Sequence, residues 1–148
     1  MSNGKVSIMS TCYFISGHRD ATQEEFDEHY KPKILKAIGE SSIFVVADCN
    51  GIDKIAQIFL KENNVKDVVV FHIGHSPMFN AGFKTIGNFK SDYDRDFNMT
   101  LHSEEDIVWI RKGKERSGSS NNIDRRRLHK EGTLSFDNIL QIEAERFL

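Results

Sequence analysis

Apolar residues in this chain come in short continuous runs separated by stretches of helical spacing. Residues 12–15, 43–47 and 68–73 are nearly unbroken runs of aromatic and β-branched side chains, with His72 the polar member of the third. A strand with one wet face would alternate apolar with polar, so runs of this kind predict strands buried on both faces. Between the first two, Phe26, Tyr30, Ile34 and Ile38 recur every four residues, and Thr22 with Glu25 forms a T-x-x-E capping box at the start. Pro32 falls inside that stripe and predicts a break near Tyr30–Lys31, with Gly39 as C-cap. Between the second and third runs, Ile52, Ile55, Ala56 and Phe59 form another amphipathic helix, capped by Asn50 and closing near residues 62–64.

Buried strands alternating with amphipathic helices imply βαβ units, hence an α/β fold in three layers around a mainly parallel sheet. The expected strands lie at 11–15, 43–47, 68–73 and 106–110. The pattern loosens after the third. Residues 74–90 hold Pro77, Gly82 and Gly87 and read as a long loop over the sheet edge. A short helix is expected over 93–101, then the fourth strand, then a helix capped by Asn121 or Asn122 and running to about Glu131. Residues 1–9 read as a loose lead-in to one domain spanning 1–148. Phe136, Ile139, Leu140 and Ala144 predict a last helix over 134–148 that packs on the domain or on a second subunit, so a homo-oligomer is one expected arrangement.

Composition changes this picture little. The chain has 148 residues, 39% hydrophobic and 28% charged, with a formal net charge of −2, which gives no global attraction to nucleic acid or anionic lipid. No apolar stretch approaches the ~20 residues of a membrane span, and residues 1–10 do not read as a signal peptide. Cys12 and Cys49 lack C-x-x-C spacing and read as buried free thiols, consistent with a cytoplasmic setting.

In an open parallel sheet, ligands gather at the C-terminal ends of the strands. Three such ends carry similar residues: Ser16, Gly17, His18 and Arg19 after the first strand, Asp48, Asn50 and Gly51 after the second, and Ser117, Gly118, Ser119, Ser120 and Asn121 after the fourth. Glycine admits close backbone approach, while hydroxyls, amides and free N–H groups bind phosphate oxygens. One anion-binding cleft is therefore expected, although each turn alone also reads as an ordinary βα connection. The motifs G-x-x-x-x-G-K-[ST], G-x-G-x-x-G and G-x-S-x-G are absent. Asp92, Asp94 and Asp96 open like a calcium loop, but Phe97 and Ser103 occupy the positions that need Gly and Glu, so Asp92 and Asp96 read as a solvated helix face. His72 and His75 read as edge-lining residues rather than a zinc pair. Neither a metal nor a cofactor is expected. Residues 111–130 hold eight Lys and Arg against Glu115 and Asp124, a basic segment suited to phosphates or to solvent.

Four short segments carry a resemblance: FISGHRD at 14–20, ADCNGIDKIA at 47–56, RDFNM at 95–99 and SGSSNNI at 117–123. Together they resemble the SLOG superfamily, the Rossmann-like group that includes Smf/DprA DNA-processing proteins and Lonely Guy-type phosphoribohydrolases. Two features depart from it. Ala47 and Asp48 stand where a small-residue pair is common, and the P-G-G-x-G-T-x-x-E signature of the phosphoribohydrolases is missing. The resemblance implies a nucleotide or nucleotide derivative as ligand and does not carry over that enzyme's activity.

Three functions follow as expectations. The first is nucleotide binding with hydrolysis of the N-glycosidic bond, for which Asp48 and Asp53 are the candidate catalytic carboxylates. Asp53 also suits a helix-dipole partner, and Asp20 is a further carboxylate near the edge. The second is a non-catalytic sensor or sequestering module for a nucleotide signal. The third, nucleic-acid binding through the basic segment, is disfavoured by the net charge.

Overall fold

The computed structural model describes residues 10–135, so the lead-in at 1–9 and nearly all of the helix expected at 134–148 lie outside the described residues. Strands β1 (Cys12–Ile15), β2 (Ile43–Val46), β3 (Val68–Ile73), β4 (Lys84–Phe89) and β5 (Glu105–Ile107) form one sheet in the order β4-β3-β2-β1-β5. Every neighbouring pair is parallel. Helices α1 (Gln23–His29), α2 (Lys31–Gly39), α3 (Ile52–Glu62), α4 (Asp92–Leu101) and α5 (Gly118–Glu131) complete an α/β, Rossmann-like fold. No helix among the described residues is long and apolar enough to cross a membrane.

The local signals act largely as their chemistry dictates. Thr22 caps α1, its hydroxyl accepting from the Glu25 N–H at 3.1 Å while the Glu25 carboxylate accepts from the Thr22 N–H at 3.0 Å. The break falls at Tyr30, and Pro32 sits in the first turn of α2, where its missing N–H deprives the helix of nothing. Tyr30 stays fully buried, its hydroxyl donating to the Ser16 carbonyl at 2.7 Å and accepting from the Trp109 N–H at 3.0 Å.

Strand alternation sorts the core onto two faces. Ile15, Phe44, Val46, Val70 and Ile107 pack with Phe26, Tyr30, Ile34, Ile52, Ala56 and Leu60 of the first three helices. Phe14, Val45, Ala47 and Phe71 form a smaller cluster with Met99 of α4, and Phe97 meets Leu128 of α5 beyond it.

Four expectations need correction. Residues 84–89 form an edge strand rather than part of a loop. Edge position leaves much of its surface in water, which is why no apolar run marks it. The loop before it is tied to α3 by Gln57, which donates to the Ala47 and Phe79 carbonyls and accepts from the Ala81 N–H at 2.9 Å. Residues 108–110 are not strand, because the N–H groups of Trp109 and Arg111 go to Tyr30 and His18 instead of a neighbouring strand. The N-cap of α3 is Gly51, not Asn50, at φ 74°, and a Cβ there would run into the His18 carbonyl oxygen. Finally, α5 starts earlier than expected, capped by Ser117, whose hydroxyl accepts from the Ser120 N–H at 3.2 Å.

Candidate functional site

The chain runs outward from β1 through β2 and β3 to β4, then returns to place β5 on the other side of β1. Connections from the β1 and β5 ends therefore diverge, which opens a crevice at the C-terminal edge. A cavity of about 370 Å³ lies there. Its β1 wall is Phe14 and residues 16–20, its β2 wall is Ala47, Cys49 and Asp53, and α4 contributes Asp92, Arg95 and Asp96. Lys114, residues 117–119 and Asn122 close it from the α5 side.

Packing shapes the β1 wall. A side chain at Gly17 would strike the Tyr30 hydroxyl and Ile52, so this glycine serves close packing as well as lining the cavity. The His18 Nε2 accepts from the Arg111 N–H at 2.9 Å, and burial together with the Arg111 charge lowers the pKa of the imidazole, keeping it a neutral acceptor. The Arg111 guanidinium grips Glu25 at 2.8 Å and Asp20 at 3.1 Å, binding the segment after β5 to α1. That hydrogen bonding holds Glu25 down at about 2. Arg19 stands at the mouth, 63% exposed, with one nitrogen 2.8 Å from Asp92.

At the β2 end the two candidate carboxylates part company. Asp48 accepts from the Met78 N–H at 2.7 Å and faces Arg95 at 3.5 Å, so it anchors the loop before β4 and does not line the cavity. Asp53 does line it, 7% exposed, with one oxygen accepting from the Cys49 N–H at 3.2 Å. Burial pushes its carboxyl up to about 7, against the opposing pull of Arg95. Its other oxygen has no hydrogen-bond donor among the described residues. Burial also raises both cysteine thiols to about 11, which makes neither a ready nucleophile.

Arg95 organises the α4 wall. Buried to 4% exposure, it donates to Asp96 at 3.0 Å and lies 3.3 Å from Asp92 and 3.6 Å from the Cys49 Sγ. Asp96 is therefore turned inward rather than solvated, its side chain 15% exposed, whereas Asp92 remains at the surface. The α5 wall ends at the helix's first turn. Ser120 turns away to donate to the Glu115 carbonyl at 2.7 Å, and Asn121 lies outside the lining, its place taken by Asn122, which accepts from Arg125 at 2.6 Å. Asn50 and Gly51 are also outside it.

Of the residues expected at the site, Ser16, Gly17, His18, Arg19, Asp53, Ser117, Gly118 and Ser119 thus share one cavity. Cys49, Asp92, Arg95, Asp96, Lys114 and Asn122 join them without having been singled out as ligands. A signal for Arg95 and Asp96 lay in the run Asp94–Arg95–Asp96, since three consecutive charges directly before apolar Phe97 and Met99 cannot all face away from the sheet on one helix.

No family model, curated protein or solved structure matches the chain. The chemistry must be read from the cavity itself. Among the described residues, no group of three or more His, Cys, Asp or Glu could hold a metal ion. Much of the basic segment is paired: Arg111 as above, Arg126 with Asp106 at 2.9 Å, Lys130 with Glu105 at 2.8 Å and Arg127 with Glu131 at 3.5 Å. Within the cavity, Arg19 pairs with Asp92, Arg95 with Asp96 and Asp20 with Arg111. Of the Lys, Arg and Asp side chains lining the cavity, two are left without an ion-pair partner among the described residues, Lys114 ahead of α5 and Asp53 at the β2 end. These two groups are the ones the cavity leaves for a ligand to engage.

Proposed function

We propose that this cavity binds a nucleotide or nucleotide derivative, its phosphate against the first turn of α5 and its sugar toward Asp53. One observation carries the reading: the N-terminus of a 14-residue helix and an unpaired lysine open into the same cavity as the β1 turn, at the switch point of the sheet. The first N–H groups of a helix have no partner within it, and the helix dipole adds to the charge of Lys114 in favouring an anion. A cavity of about 370 Å³ suits a ligand of mononucleotide size. The resemblance to SLOG proteins belongs to this proposal and points the same way.

Hydrolysis is the catalytic form of the reading. Water would add at the anomeric carbon, the C–N bond would break, and the base would leave with a proton. A carboxyl near 7 can give or take that proton at neutral pH, which favours Asp53 over Asp48, whose oxygens already serve Met78 and Arg95. Nucleic-acid binding loses support because much of the basic segment is internally paired.

Calorimetric titration with nucleoside monophosphates, ADP-ribose and cyclic nucleotides tests the proposal, each mixture being chromatographed for free base. Gly118→Val is the sharpest variant, because a Cβ at Gly118 meets nothing within 4 Å in the fold yet would occupy the anion's space. Binding by wild type with at least tenfold loss in Gly118→Val and Lys114→Ala is expected, about 1.4 kcal/mol or more each. Base release abolished by Asp53→Asn identifies a hydrolase, and binding without release identifies the sensor. Absence of binding across the panel, or equal binding by both variants, contradicts the proposal.

A further inference from the structure

The β1 wall of the cavity holds a second unsatisfied group. Ser16 N–H donates to the Ile107 carbonyl at 3.1 Å, which continues the pleat one residue past β1 and puts the Ser16 side chain on the face of Phe14, where the cavity opens. Ser16 is 6% exposed, and its hydroxyl oxygen is buried with no hydrogen-bond partner. A buried hydroxyl without a partner forgoes a bond that water would give it, so its retention points to a group that arrives from outside. Asp53, with one carboxylate oxygen unengaged, lines the same cavity.

We propose that Ser16 and Asp53 form a hydroxyl subsite that takes the vicinal diol of a ribose, making the ligand a ribonucleotide and excluding its deoxy counterpart. This rests on the nucleotide reading above. A diol fits the local chemistry better than an amine does. Arg95 and Asp96 of α4 and Asp48 after β2 are the charges that act on Asp53, with the Cys49 N–H as its hydrogen-bond donor. An ammonium group, having no lone pair, could not accept from the Ser16 hydroxyl. A hydroxyl can instead donate to the carboxylate while accepting from Ser16, which satisfies both groups at once. Sites built around such bonds reject analogues that lack the hydroxyl, because the buried protein groups are then left unpaired.

The test is a competition between adenosine 5′-monophosphate and its 2′-deoxy and 3′-deoxy forms, with inorganic phosphate as anchor control. Wild type, Ser16→Ala, Asp53→Asn and Gly118→Val are compared. In wild type, at least one deoxy form should bind at least tenfold more weakly than the ribonucleotide. Ser16→Ala and Asp53→Asn should shrink that ratio severalfold, and neither should weaken phosphate binding. Ser16→Ala removes a group that has no partner in the fold, so it should melt no lower than wild type, which keeps the result interpretable even if Asp53→Asn folds poorly. Equal affinity for ribo and deoxy forms, with Gly118→Val still weakening both, overturns the diol subsite and leaves nucleotide binding standing. Failure of every nucleotide and of phosphate to bind wild type overturns both.

Discussion

On the face covered by α1, α2 and α3, the sheet buries Phe44, Val46, Val70 and Ile107 against helix side chains that are almost all apolar. On the opposite face, α4 and α5 bury Arg95, Arg125, Arg126, Ser119 and Asn122 alongside only Phe97, Met99 and Leu128 as fully buried apolar partners. Both faces exclude water, but they do so at very different cost. Apolar burial contributes stability directly, about 25 cal/mol per Å². Buried ions are tolerated only where each is paired, and even then they stabilise no more than well-packed hydrocarbon would. The second face therefore adds little to stability for its size, yet α4 alone brings Asp92, Arg95 and Asp96 to the cavity. The apolar face holds most of the fold, while the cavity draws its chemistry from the other face, from the β1 turn and from Asp53 of α3.

Substitutions can break this contrast. Phe44→Ala, on the apolar face, should cost about 3–5 kcal/mol by denaturant unfolding, since a fully buried aromatic leaves a cavity that the surroundings cannot close. Arg126→Met should cost about as much for a different reason, stranding Asp106 and the carbonyls of Thr100 and Ser103. The second change should be partly reversible. Adding Asp106→Asn ought to restore about 1 kcal/mol or more by removing the stranded charge. If the pair behaves additively instead, the second face is held by packing after all.

A smaller effect sharpens the comparison through pH. Asp53 is pushed up to about 7 from an ordinary value of 3.8, so the folded protein holds this proton more tightly than the unfolded chain. The sign follows from linkage: the associated stability is fully present below about 4 and is lost as pH rises toward 7. The difference in stability between wild type and Asp53→Asn should therefore decline across that window. A difference that stays flat or grows would mean that Asp53 is charged throughout and that Arg95 outweighs its burial.

The same asymmetry explains what could be read from the chain alone. β1, β2 and β3 announce themselves because central strands of a parallel sheet need apolar residues on both faces. β4 does not, because residues such as Lys84, Thr85 and Asn88 suffice at an edge. In the site, residues 16–19 and 117–119 were legible because strand ends converge on one edge whatever the details of packing. Arg95, Asp96 and Asn122 were easily passed over because they come from helices whose inner faces are polar, and charge on a helix ordinarily means solvent. The reading of Asp48 as a cavity carboxylate failed for another reason. Its neighbour across space, the Met78 N–H, lies in a loop whose path the pattern of apolar residues leaves open.

Assigned backbone amide resonances, followed while inorganic phosphate and then adenosine 5′-monophosphate are added, test the central claim most directly. Gly118 and Ser119 should shift first and furthest, with residues 16–19 following when the nucleotide replaces phosphate. Cys12 and Ile43, at the opposite ends of β1 and β2, should stay still. Shifts centred on those opposite strand ends, or none at Gly118 and Ser119 at saturating ligand, would contradict it.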